Sequence, residues 1–189
     1  MFTRSIATTL LLVAATPALA HTGHDTAFGL LAGMAHPMGG LDHVLAMVSV
    51  GLFAAVLGGR ALWALPMSFV GMMLVGGALG MTGVTVPAVE FGIALSIVVL
   101  GAIVTWGRQW PIQAASALVG VFAVFHGYAH GAELPAGADA VLYSFGFALA
   151  TALLHGAGIA AGRLTLGRAG ILRLAGAAVT VTGIVIALG

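Results

Sequence analysis

A chain of 189 residues that is 61% hydrophobic and only 6% charged, with 29 glycines, cannot be a soluble domain, where charged residues make up about a quarter of the total. The net charge of +1 carries little information, but the chain has no Lys and no Cys, which excludes thiolate metal sites, disulfides and iron–sulfur clusters. No Walker-type phosphate loop is present, so the chain is not its own ATPase, and no nucleic-acid partner is expected. Several apolar runs of about 20 residues predict helical spans rather than barrel strands. The expected fold is all-α, a polytopic membrane helix bundle in the lipid bilayer.

Residues 1–20 place Arg4 ahead of a short apolar stretch from Leu10 to Ala15 and end in Ala18-Leu19-Ala20 before His21, the pattern of a cleavable signal peptide. A membrane anchor is the competing reading, opposed by the short apolar core and by Pro17. Residues 21–189 then form a single bundle domain. Its leading segment, His21-Thr22-Gly23-His24-Asp25, is either a loose cation-capturing tip or a solvated leader.

Ala27 to His36 are apolar but too few to cross a bilayer, and Pro37, Gly39 and Gly40 interrupt the pattern before it resumes at Asp42. This predicts a short broken or re-entrant helix whose irregular backbone lines a cavity. Asp42 suits the N-cap of the next helix. Six transmembrane helices follow, at roughly 42–58, 62–81, 87–106, 111–130, 139–161 and 170–188. Pairs of small residues, Gly76 with Gly80, Gly127 with Gly131 and Gly158 with Gly162, permit close helix contact. Met67, Met72, Met73 and Met81 of the second span read as core packing, while Met34, Met38 and Met47 lie nearer the first polar motif. Phe69, Trp106, Trp110 and Tyr128 read as packing residues or interfacial anchors.

If the leader is removed, the mature N-terminus lies outside the cytoplasm, and the first, third and fifth connections are cytoplasmic. Those connections hold Arg60, Arg108, Arg163 and Arg168, with Arg173 just beyond, and the outer connections hold no Arg, as the positive-inside rule requires. The C-terminus then also lies outside. In this topology every carboxylate of the chain, Asp25, Asp42, Glu90, Glu133 and Asp139, falls near the outer ends, as do His36, His43 and His130. An outward vestibule of negative potential would concentrate cations; a solvated rim explains Asp25 and Asp139 equally well.

Two stretches carry ionisable groups into the membrane, where such groups imply function. In the first, His36, Asp42 and His43 flank the Pro-Gly break. Asp42 and His43 are about 100° apart on an ideal helix and point to different neighbours. Either Asp42 orients an imidazole while His36 and His43 bind, or it binds directly. In the second, His126 and His130 are stacked on one helix face, which Glu133 continues if the helix extends, while Gly127 and Gly131 keep the backbone beside them clear. Imidazoles with carboxylates and no thiolate suit nickel, cobalt, zinc or manganese. Glu90, in the third span without a local cation partner, is a further candidate ligand or proton acceptor. His155 reads as an exit ligand, a proton relay or a hydrogen-bonded core residue. Proton competition at imidazole ligands predicts weaker metal capture below about pH 6.

The two motifs resemble those of the HupE/UreJ family of small bacterial nickel permeases linked to hydrogenase and urease maturation. His36, Asp42 and His43 match a His, five residues, Asp-His pattern, and Phe125-His126-Gly127-Tyr128-Ala129-His130-Gly131-Ala132-Glu133 matches the second motif in full. The resemblance implies nickel uptake across the inner membrane from periplasm to cytoplasm, with His36, Asp42, His43, His126, His130 and Glu133 as the functional polar residues. It implies Ni²⁺ as transported substrate, with Co²⁺ and Zn²⁺ as alternatives, no permanently bound cofactor, no enzymatic activity, and a functional link to hydrogenase or urease metallochaperones. Two other classes compete on the same residues. An intramembrane metalloenzyme would use Asp42 or Glu133 as a base beside a retained metal, and a haem protein would pair His126 with His43. Energy coupling and oligomeric state are open at this level.

Overall fold

Apolar runs of membrane-spanning length become helices because a helix satisfies its own backbone polar groups, and punctuation residues decide where each stops. The computed structural model describes residues 26–134, 137–165 and 167–188. The described residues form α1 (Thr26–Gly39), α2 (Leu41–Leu57), α3 (Ala61–Met81), α4 (Val89–Trp106), α5 (Ile112–Ala132), α6 (Ala140–Leu164) and α7 (Ala169–Leu188), with no strand. Gly107 ends α4 in the left-handed region at φ 66°, and Pro111 stands at the N-cap of α5, where its missing N–H costs nothing. Asp139 caps α6 by accepting from the backbone N–H groups of Val141 and Leu142 at 2.9 and 3.0 Å. The signal peptide and the His21/His24 tip expected from the sequence lie outside the described residues.

Helices α3 to α7 are each long and apolar enough to cross a membrane, and α1 with α2 make a pair bent by 86° that supplies a sixth span or a re-entrant loop. The interruption is narrower than the sequence suggests. Pro37 sits within the last turn of α1, where its fixed φ is still helical, and the break falls at Gly40 alone, with φ −111° and ψ 124°. Gly40, not Asp42, is the N-cap of α2, and no side chain caps that terminus. Asp42 instead lies in the first turn, where its charge still complements the helix dipole.

Small residues set the tightest contacts. A Cβ at Gly127 or Gly131 would run into the backbone of Met73 and Gly77 on α3, and one at Gly76 or Gly80 into the backbone of Val124 and Tyr128 on α5. Gly127 and Gly131 thus seat α5 against α3 rather than clearing space beside the imidazoles, because they lie on the neighbouring helix face. Gly158 on α6 meets Val48 and Gly51 of α2 in the same way. The main helix pairs are α3 with α5, α4 with α7, and α6 with both α1 and α2. Of the methionines on α3 only Met73 is buried; Met67, Met72 and Met81 are exposed on the outer surface of the bundle, where packing against lipid replaces the core role expected of them.

The two ends of the bundle differ in charge. Gln109 Nε2 donates to Val56 O at 3.0 Å, tying the α4–α5 connection to the end of α2, and this is the end that holds Arg60 and Arg108. At the opposite end Tyr128 Oη donates to Val84 O at 2.7 Å and accepts from Val86 N at 3.3 Å. Asp42 and Glu90 open α2 and α4 there, Glu133 is the C-cap of α5, and Asp139 the N-cap of α6.

Candidate metal site

The 86° bend at Gly40 turns α1 away from the axis of α2, so that the end of α1 projects over the C-terminal end of α5. His36 Nε2 comes within 3.4 Å of Glu133 Oε2, and the His36 ring stands edge-on to His130 with centroids 4.6 Å apart. One ligand atom from each of His36, His130 and Glu133 lies within 4.8 Å of the others, a separation that a shared ion can close with small side-chain adjustments. These residues line an open cleft of about 490 Å³, with Asp42, His43 and Glu90 also on its wall. Glu90 is exposed in the first turn of α4 and shares the cleft without joining that group of three.

Inward from the cleft the imidazoles continue as a ladder. His130 lies 4.4 Å from His43, and His43 lies 5.0 Å from His126, centroid to centroid. His130 is 4% exposed and His126 fully buried. Asp42 and His43 do not point to different neighbours: Asp42 Oδ1 is 3.0 Å from His43 Nδ1. At a helix N-terminus the first-turn side chains can fold back together, and here the absence of a Cβ at Gly40 makes the room. A methyl group there would collide with the Asp42 carboxylate and approach His43 Nδ1 to 3.1 Å. With Nδ1 engaged by the carboxylate, His43 Nε2 is left buried without a partner. A carboxylate that fixes one imidazole nitrogen in this way orients the other for a metal.

A second orienting contact was not legible in the motifs. Ser96 Oγ on α4 donates to Ile93 O at 2.6 Å and lies 2.9 Å from His126 Nε2. A hydroxyl has one proton, and with that proton on the carbonyl the oxygen accepts from His126 Nε2–H. His126 Nδ1 therefore keeps its lone pair, and it is buried without a partner. Between Phe91 and Val104 Ser96 is the one polar side chain of the span, and that is the sequence signal that could have found it. Replacing Ser96 with alanine is expected to strand the Nε2–H and cost about 1–3 kcal/mol, read as a fall in Tm of the detergent-solubilised protein. An unchanged Tm would show that the bond is not made.

Both ring nitrogens of His130 are likewise buried and unpartnered. A group of neutral imidazoles held in an apolar bundle with free lone pairs is costly as bare structure and suited to receiving a cation. Phe69, read from the sequence as a packing residue or an interfacial anchor, is fully buried, and its ring lies 5.6 Å from His126 and 5.1 Å from His155, so it borders the polar interior.

The sequence model of the family described as HupE / UreJ protein matches residues 9–186. Protein HupE of Rhizobium leguminosarum bv. viciae is 44% identical over 185 residues, covering 96% of this chain and 97% of its own length. No solved structure matches the chain significantly. A family match across nearly the whole length, joined to a relative of this identity and coverage, means that the chain belongs to the HupE/UreJ family.

Proposed function

We propose that this protein is a permease for a divalent transition metal, taking up Ni²⁺ across the bacterial inner membrane from periplasm to cytoplasm and feeding hydrogenase or urease maturation. The observation that carries this reading is the convergence of His36, His130 and Glu133 at an open cleft whose wall continues through the half-buried His43 to the fully buried imidazole of His126. In this scheme the carboxylates of Asp42, Glu90 and Glu133 raise the local cation concentration, and the ion exchanges water for His36, His130 and Glu133. It then passes to His43 and His126, whose unpartnered nitrogens, Nε2 and Nδ1 respectively, are oriented by the contacts of the other ring nitrogen with Asp42 and Ser96. Neutral imidazoles bind firmly enough to select and weakly enough to release. The charge asymmetry of the bundle supports the direction: the arginine-bearing end faces the cytoplasm and the cleft faces outward. A cleaved leader places both termini on the periplasmic side.

Uptake of radioactive nickel by cells expressing the chain tests this reading. His36→Ala, Asp42→Ala and His130→Ala should each reduce uptake at unchanged protein level, and normal uptake in all three would refute the site. Gly40→Ala provides a subtler check, because it removes no candidate ligand. By pushing the Asp42–His43 pair apart it should weaken Ni²⁺ binding to the purified protein about ten-fold, measured by equilibrium dialysis. Unaltered affinity would mean that the pair plays no orienting part.

A further inference from the structure

Helix α6 carries a buried stripe that the outer site uses only in its first half. Tyr143, Phe147, Thr151 and His155 recur every four residues and so share one face of the helix, and all four are buried. Tyr143 stands 5.9 Å from the His36 ring and Phe147 3.9 Å from His130. The stripe then runs on past the imidazole ladder. Thr151 Oγ1 lies 3.4 Å from Met47 Sδ of α2 and 3.7 Å from Met73 Sδ of α3. His155, one turn beyond, meets the edge of Phe69, whose ring also touches His126. A single aromatic ring thus separates the innermost imidazole of the ladder from His155.

Two features of this group are disfavoured if its role is packing alone. Both ring nitrogens of His155 are buried with no hydrogen-bond partner, at 1% exposure. The Thr151 hydroxyl, fully buried, ends on two thioethers, which are among the weakest side-chain acceptors. Its two oxygen-to-sulfur separations also match the edge of a coordination tetrahedron with metal–ligand bonds of about 2.1–2.3 Å.

We propose that His155, Thr151, Met47 and Met73 form a second, inner cation site, which receives the divalent transition ion after it leaves the imidazole ladder. The inference rests on the permease reading and deepens it. The donor set is an imidazole, a hydroxyl and two thioethers, with no carboxylate. It is softer than the outer site and leaves the ion's charge uncompensated, so it favours late transition metals over Mg²⁺ or Ca²⁺ and holds them loosely enough to pass on.

The test uses the full chain in lipid nanodiscs, equilibrated with Ni²⁺ alone, with bound metal counted and nickel-edge X-ray absorption recorded. The expected result is about two ions per chain, with sulfur in the averaged coordination shell. His36→Ala combined with His130→Ala should remove one ion and leave a sulfur-containing shell, whereas His155→Ala should remove the other and leave the outer site filled. Met47→Leu with Met73→Leu conserves volume and should abolish the sulfur scattering, which decides the matter even if His155→Ala fails to fold. Sulfur scattering that survives the methionine pair overturns the inner site. So does a single ion per chain, without sulfur, lost in the His36/His130 variant; that outcome leaves the permease reading standing. No bound ion in the unaltered protein overturns both.

Discussion

Replacing His130 with alanine is expected to lower the initial rate of Ni²⁺ uptake about a hundred-fold at subsaturating metal, a larger loss than at any other position of the outer cluster. The reason is its place at the junction. His130 is the imidazole that stands against both His36 at the cleft and His43 in the ladder, 4.6 and 4.4 Å away, and both of its nitrogens lack partners. His36 and Glu133 are partly exposed, so water and the remaining carboxylates can substitute for either in part. At 4% exposure His130 has no such substitute, and without it the passage from His36 and Glu133 to His43 loses the imidazole that touches both sides. Uptake within about two-fold of normal in His130→Ala, alongside a strong loss in His36→Ala, would confine the functional site to the cleft mouth.

The largest effect on stability is expected at Gly127. A Cβ there would collide with the Met73 carbonyl oxygen and lie 2.7 Å from Met73 C and 2.9 Å from Gly77 N, all backbone atoms that no rotamer change can move. Gly127→Ala must therefore drive α5 off α3, at a cost of about 3 kcal/mol or more. Because Gly127 lies between His126 and His130, the same shift carries the ladder out of register. Thermal unfolding in detergent should show a markedly lowered Tm. Gly156→Ala is the matched control: nothing lies within 4 Å of its Cβ position, and alanine in place of a helical glycine is expected to raise stability by up to about 1 kcal/mol. Equal behaviour of the two variants would mean that the α3–α5 contact is looser than its geometry indicates.

Much of the architecture was legible in the chain itself. The expected span at 62–81 is α3 at Ala61–Met81, and that at 87–106 is α4 at Val89–Trp106, because an apolar run of this length has few alternatives to a helix in lipid. That His126 and His130 share one helix face followed from their spacing, and both meet His43; the charge difference between the bundle ends followed from the alternation of arginine-bearing connections. Membership of the HupE/UreJ family, suggested by two complete motifs, is shown by the match over residues 9–186.

Side-chain partners across helices were beyond that reading. Spacing along one helix fixes a face but not which helix meets it. The position of the bend was one such case: Pro37, Gly39 and Gly40 were together expected to interrupt the helix, yet the chain turns at Gly40 alone, and that turn brings His36 to Glu133. Asp42 and His43 were expected to diverge, but first-turn side chains have no preceding turn to hold them apart, and the missing Cβ at Gly40 lets them pair. Ser96 and the Thr151–His155 stripe belong to no motif at all; their meaning arises from contacts with His126, Met47, Met73 and Phe69 on other helices. The sequence alone thus determined an all-helical membrane bundle with two polar motifs near one end, since composition and periodicity are local properties. Only the tertiary structure decided that His36, His130 and Glu133 share a cleft and that the ladder continues toward His155, because proximity between helices depends on bends and small-residue contacts summed over the whole bundle.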